Sequence, residues 1–227
     1  TSQDDSANTV DVDPLGQYLY VAGQTRGDFG IMPNHGGSDI FILKYDLTAG
    51  PLPVRAWKDP IIIGSSADDS ALALKVDQTG TFVYLSGYTR GSLFSPSLGN
   101  ADAFLVRLYA SNGSIETSRQ FGTSANDYGS TFVLPDTAVG PIQVGAETDR
   151  MIGTYEIGNL HVFRFQPSNL EPLGSLLVQT FSRESVTGLV THPKFPGTLF
   201  SCGQSWLDEI NGWDISFKSL TGSTGNM

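Results

Sequence analysis

Hydrophobic positions along this chain recur with the period of a strand rather than a helix. Val10 and Val12 alternate with polar neighbours across Ala7 to Val12, while Tyr18 to Gln24 and Ile40 to Tyr45 are near-continuous apolar runs. Alternation predicts a half-buried strand, and a short unbroken run predicts a strand covered on both faces. Val54 to Ile63, with Trp57 and Ile61-Ile62-Ile63, completes a set of four. The turn Asp13-Pro14-Leu15-Gly16 places Pro where a φ of about −65° is wanted and Gly after it, which predicts a tight hairpin. A second set follows: Leu72 to Val76, the turn Asp77-Gln78-Thr79-Gly80, Phe82 to Gly87, Ala103 to Leu108 and Ile115 to Phe121, the last two joined by Ser111-Asn112-Gly113.

The two sets are copies. Asp4-Asp5-Ser6-Ala7 returns 64 residues later as Asp68-Asp69-Ser70-Ala71. Tyr20-Val21-Ala22-Gly23-Gln24-Thr25 returns as Tyr84-Leu85-Ser86-Gly87-Tyr88-Thr89, and Asp39-Ile40-Phe41-Ile42-Leu43-Lys44 as Asp102-Ala103-Phe104-Leu105-Val106-Arg107. A third copy is traceable through Tyr128 to Leu134, Pro141 to Thr148, His161 to Phe165 and Leu173 to Phe181. A fourth runs through Glu184 to Val190, Gly197 to Ser205 and Trp213 to Lys218. The approximate repeats are 1–64, 65–122, 123–182 and 183–227 within one region. A repeat of this length made only of strands is the signature of a β-propeller blade. The expected fold is all-β: up-and-down four-stranded blades, about four of them, the last incomplete. An arc of a larger propeller is favoured over a self-contained four-bladed ring. The pattern begins in mid-stride at Thr1 with neither an initiator Met nor a leader, so a mature or excerpted piece of a longer product is expected.

The linked motifs Asp-Asp-Ser-Ala, Val-Asp-x-x-Gly, Tyr-Val-x-Gly-x-Thr and Asp-Ala-Phe-Leu-Val-Arg-Leu resemble the SBBP-type β-propeller repeat. Asp4 to Lys44 and Asp68 to Arg107 carry the resemblance best. In the later copies Asp-Asp becomes Asn126-Asp127 and then Arg183-Glu184, and Pro135-Asp136 interrupts the Val-Asp turn. The resemblance implies a propeller in a secreted or cell-surface protein, adhesive or structural in role. No catalytic residue belongs to the repeat pattern.

Composition narrows the classes. The chain has 227 residues, with Gly 26, Pro 12, 11% aromatic and only 16% charged residues. That suits one large β domain and excludes a disordered tail. The formal net charge of −10, with no basic run, argues against nucleic acid and anionic membrane as partners. No stretch approaches the roughly 20 apolar residues of a membrane helix. A single cysteine, Cys202, excludes an intrachain disulfide and, within an apolar strand, is expected in the core.

Candidate chemistry is sparse. Asp5, Asp69 and Asp127 open successive inner strands, and gathered at one rim they could hold Ca²⁺, which wants six to eight oxygens. Against this, a repeated residue solves a repeated backbone problem, and a carboxylate accepting turn N–H groups does so. The dense spacing of a calcium loop is also missing. Asp39 and Asp102, with Asn159 and Asp214 in comparable places, are expected to pin turns. Lys44, Arg107 and Arg164 recur at the far end of that strand, where a carboxylate in the same blade is the expected partner. His35, His161 and His192 share no blade position and have no metal-ligand spacing. No nucleophile elbow and no phosphate loop is present. Asn112-Gly113-Ser114 is a glycosylation acceptor on a hairpin tip. The loops Phe29 to Ser38 and Gly91 to Ala101 differ in sequence, and Phe29, Met32, Phe94 and Pro96 are the candidate partner-contacting residues. These features point to a non-enzymatic extracellular interaction module without cofactor, contacting other protein domains, copies of itself or glycans. The alternative is a hydrolase or lyase with its site at the channel mouth.

Overall fold

The computed structural model describes residues 1, 3–135, 140–152, 155–178, 184–191, 198–208 and 212–221, with backbone alone at 150–152, 155–157, 178, 184, 205–208 and 212–221. Asp136, Arg183 and His192 lie outside the described residues, and the side chain of Asp214 is not described. Among the described residues there is no helix; the architecture is all-β, in four antiparallel sheets.

The first sheet joins β1 (Asp5–Val12), β2 (Tyr18–Thr25) and β3 (Asp39–Asp46) in sequence order. The expected fourth strand is split: β4 (Val54–Arg55) pairs with Tyr45 and Asp46, and β5 (Ile61–Ile63) pairs with Ile40 to Ile42. Between them the chain leaves the ladder to bury Trp57 edge-on against Tyr20, ring centroids 5.8 Å apart. Pro60, which has no N–H to give a ladder, marks the return. The second sheet has the order β6 (Asp69–Val76), β7 (Phe82–Thr89), β8 (Asp102–Tyr109) and β9 (Ile115–Phe121). The third runs β10 (Asn126–Val133), β11 (Ile142–Ile152), β12 (Tyr155–Phe165) and β13 (Pro172–Val178). The last has three strands, β14 (Glu184–Thr191), β15 (Thr198–Asp208) and β16 (Gly212–Thr221).

The chain divides into two compact units, Thr1–Gly129 and Ser130–Met227. In the first, the facing sides of sheets one and two form one apolar core. Tyr20, Ala22, Ile40 and Ile42 come from one sheet, and Leu74, Val83, Leu85, Phe104, Val106 and Leu108 from the other. In the second, Val133, Leu160, Val162, Val186, Leu189 and Leu199 cluster.

Two details show that the repetition reaches the backbone. The register of β1 on β2 skips between Ala7 and Thr9, that of β6 on β7 between Ala71 and Ala73, and that of β14 on β15 between Val186 and Gly188. The same bulge thus occurs at the same place in three sheets. Opposite it stands the glycine of the Gly-x-Thr motif, or Gly-x-Ser in the last copy. A Cβ on Gly23, Gly87 or Gly203 would fall 1.8, 1.9 or 1.8 Å from the carbonyl oxygen of Ser6, Ser70 or Ser185. In the third sheet Thr148 pairs with Asn159 as Thr89 pairs with Asp102, so the equivalent position is Ala146, not Gly145.

Sheets one and two are also stitched by side chains of β1 to the backbone of β6. Asn8 Nδ2 donates to Ala71 O (2.9 Å), Leu74 N–H to Thr9 Oγ1 (3.0 Å) and Val76 N–H to Asp11 Oδ2 (2.9 Å). In the second unit Ser130 Oγ donates likewise to Val186 O (2.5 Å).

Candidate functional site

The repeated aspartates act on their own turns. Asp69 accepts the N–H of Ser65 at 2.5 Å, and Asp127 accepts that of Thr123 at 2.6 Å and its hydroxyl at 2.9 Å. Asp5 accepts the amino group of Thr1 at 2.7 Å. In each case the donor lies four residues back, so each carboxylate closes the turn that leads into an inner strand. Asp39 does the same with His35 N–H (2.6 Å), and Asp102 with Leu98 N–H (2.8 Å) and Gly99 N–H (2.9 Å). Asp68 reaches the previous repeat instead and accepts Ser38 N–H at 3.0 Å. Among the described residues no three His, Cys, Asp or Glu side chains are placed to hold a metal ion together.

Asp69 is fully buried, and burial pushes its carboxyl above the usual 3.8 against hydrogen bonds from Thr89 and Ser65, with Asp39 nearby adding to the rise. The folded state therefore holds this proton more tightly than the unfolded chain. Stability contributed at Asp69 is present at low pH and falls as pH rises from about 3.8 through the raised value. Asp69→Asn should flatten that fall relative to the wild type, read by denaturant unfolding across the acid range. An unchanged pH dependence would remove Asp69 as its source.

Lys44 and Arg107 occupy matching strand positions but are satisfied differently. Arg107 has the expected carboxylate, with Nε 2.8 Å from Glu116 Oε2, and lies over Phe82 at 4.7 Å. Lys44 corrects the expectation. Its Nζ donates to the carbonyl of Ala110 at 2.8 Å and sits 3.9 Å above the Tyr18 ring, because the strand beside it offers Arg55 and Ala56 rather than an acid. Burial lowers its pKa, opposed by Asp13 and Asp46. Lys44 borders a cavity of about 490 Å³ in the first unit, together with Asp13, Tyr18, Gln78, Thr81 and Tyr109. Sequence reasoning missed this cavity. The signal for it was Lys44 itself, the one charge inside an otherwise apolar run.

The interaction loops behave in two ways. Phe94 stands edge-on to Phe104 at 5.8 Å, and Phe29 packs on Phe41 at 5.7 Å, so both rings turn toward the sheets. Gln120 staples the second loop: its Oε1 accepts the N–H groups of Leu93 and Phe94 at 3.1 Å, and its Nε2 donates to Asp102 at 2.7 Å. Met32 is half-buried and bridges to Phe29, while Pro96 is exposed. The exposed apolar tips are Ile31 (79%) and Leu98 (53%).

Asn112 is exposed at its hairpin tip, its Oδ1 accepting the N–H and hydroxyl of Ser114 at 3.0 and 2.9 Å. His35 Nδ1 lies 3.0 Å from Asp39, and His161 Nε2 lies 2.9 Å from Ser175 Oγ. Cys202 is exposed, contrary to the core position expected of it: alternation along β15 buries Ser201 and Gly203 and turns Cys202 outward. No helix among the described residues is long and apolar enough to cross a membrane. Comparison of the sequence with family models gives no match, and comparison with curated proteins gives none either.

Proposed function

We propose that this chain is a non-enzymatic extracellular structural module, a run of β-propeller blades of the SBBP-repeat type that presents loops and sheet faces to protein domains, copies of itself or glycans. One observation carries this reading. Sheet one covers a face of sheet two, and the equivalent face of sheet one is open. Leu74, on the covered face, is 4% exposed, while Val10, its counterpart in register, is 58% exposed. Val12 is 40% exposed, and Leu19 and Val21 are half-buried where their counterparts Val83 and Leu85 are fully buried. Side chains of the same type at the same register suit the same cover, another sheet of this repeat.

The test is association. Sedimentation velocity on the chain should show concentration-dependent self-association. The double change Val10→Asp, Val12→Asp should abolish it, because two desolvated carboxylates at such a face are costly. Both positions are exposed in the single chain, so its melting temperature should move little. A wild type that stays monomeric at high micromolar concentration would sink the reading.

A further inference from the structure

The cavity beside Lys44 brings charged, amide, hydroxyl and aromatic groups together, and part of their hydrogen-bonding capacity is left over among the described residues. Lys44 is 8% exposed and spends one N–H on Ala110 O. Its remaining two N–H groups meet no acceptor among the described residues. Asp13 uses Oδ1 for the N–H groups of Gln17 and Tyr18, both at 2.6 Å, and its side chain lines the same cavity. Gln78 is exposed at the rim, its amide without a hydrogen-bond partner among the described residues. Tyr109, 40% exposed and tilted against Phe82 at 5.3 Å, supplies an aromatic wall. The corresponding place in the second sheet is closed chemically, since Arg107 is taken by Glu116 and by Tyr84 OH. The open cation therefore distinguishes the first repeat from the second.

We propose that this cavity binds a neutral saccharide unit. Its volume of about 490 Å³ falls within the roughly 300–1,000 Å³ of ligand pockets. The choice among ligands follows from charge. Asp13 opposes an anion, and the whole chain, at −10, adds to that opposition. Lys44 opposes a cation, and a wholly apolar ligand would strip water from Lys44 and Asp13 without giving either a partner. A hydroxyl is both donor and acceptor, so one polyol can donate to Asp13 while accepting from Lys44 and Gln78. The carbon face of a sugar ring has Tyr109 to lie against. The proposal rests on the reading of the chain as a binding module and names the site for its glycan contacts.

Saturation-transfer NMR on the intact chain, with glucose, galactose and N-acetylglucosamine presented singly, tests this directly. At least one should give a signal. Lys44→Met, which keeps the apolar stem over Tyr18, should weaken that binding about tenfold, in line with the loss of a charged hydrogen bond. Should Lys44→Met also lower the melting temperature, Gln78→Ala decides, because its exposed side chain holds nothing in place; it should weaken binding several-fold at unchanged stability. Glucuronate and inorganic phosphate serve as contrast ligands. Silence from all three neutral sugars, equal signals in the wild type and Gln78→Ala, or a response confined to glucuronate or phosphate would each overturn the proposal. Self-association through the Val10 face is a separate measurement, so loss of the sugar site leaves the module reading intact, and the reverse holds too.

Discussion

Replacing Gly87 by alanine should cost at least about 3 kcal/mol, placing it among the large single-residue effects. The reason is distance. The new methyl would lie 1.9 Å from the carbonyl oxygen of Ser70 and 3.0 Å from Ala71 Cα, and both obstacles are backbone. Relief requires β6 and β7 to part by about an ångström at the bulge, where their ladder bonds are already interrupted. No side-chain rotation can help. Gly23→Ala and Gly203→Ala meet the same obstacle at 1.8 Å and should behave alike. Gly16→Ala is the control: its φ is +68° but no atom lies within 4 Å of the added Cβ, so only the left-handed backbone cost of about 1–2 kcal/mol applies. Denaturant unfolding of the four variants checks the ranking. A Gly87→Ala loss no larger than that of Gly16→Ala would mean that the bulge is soft and that the motif glycine recurs in three of the sheets for some other cause.

Phe104→Ala is expected to cost about 3–5 kcal/mol, the usual range for emptying a buried aromatic site. Phe104 is wholly buried, faces the core shared by sheets one and two, and receives the edge of Phe94. The hole left behind is walled by two ladders, which limits collapse. Phe104→Leu should recover much of the loss. Phe94→Ala follows from the same geometry and should lower stability by a smaller amount, since Phe94 is only half-buried. That places Phe94 with the scaffold rather than with partner contacts, and leaves Ile31 and Leu98 as the loop residues whose change should affect association instead. Phe104→Ala unfolding at the wild-type denaturant midpoint would contradict the shared core.

These two expectations separate scaffold from specificity. Positions that recur in the repeats close turns, fill cores or clear space for a bulge. Positions that break the repeat are the ones on which the proposed contacts rest: Lys44 in place of an arginine with its acid, and the unequal loop tips.

Much of the architecture could be read along the chain, because strand periodicity and turn chemistry are local properties. Alternation at Val10 and Val12, unbroken runs such as Phe104 to Leu108, and Asp-x-x-Gly turns with Gly16 and Gly80 both at φ +68° follow from residues a few positions apart. The duplicated spacing likewise required the sheets to be copies. What the sequence could not give was anything set by contacts between distant segments. Trp57 breaks the fourth strand because Tyr20 and Ser111 wait for it across the core. Ala146 takes the glycine slot because strand pairing, rather than motif spelling, fixes register. Cys202 faces outward because the phase of β15 is set by its neighbours. Lys44 meets Ala110 rather than an acid because a carbonyl 66 residues away comes to lie beside it. Local preference chose the strands; tertiary packing decided which side of each strand meets what.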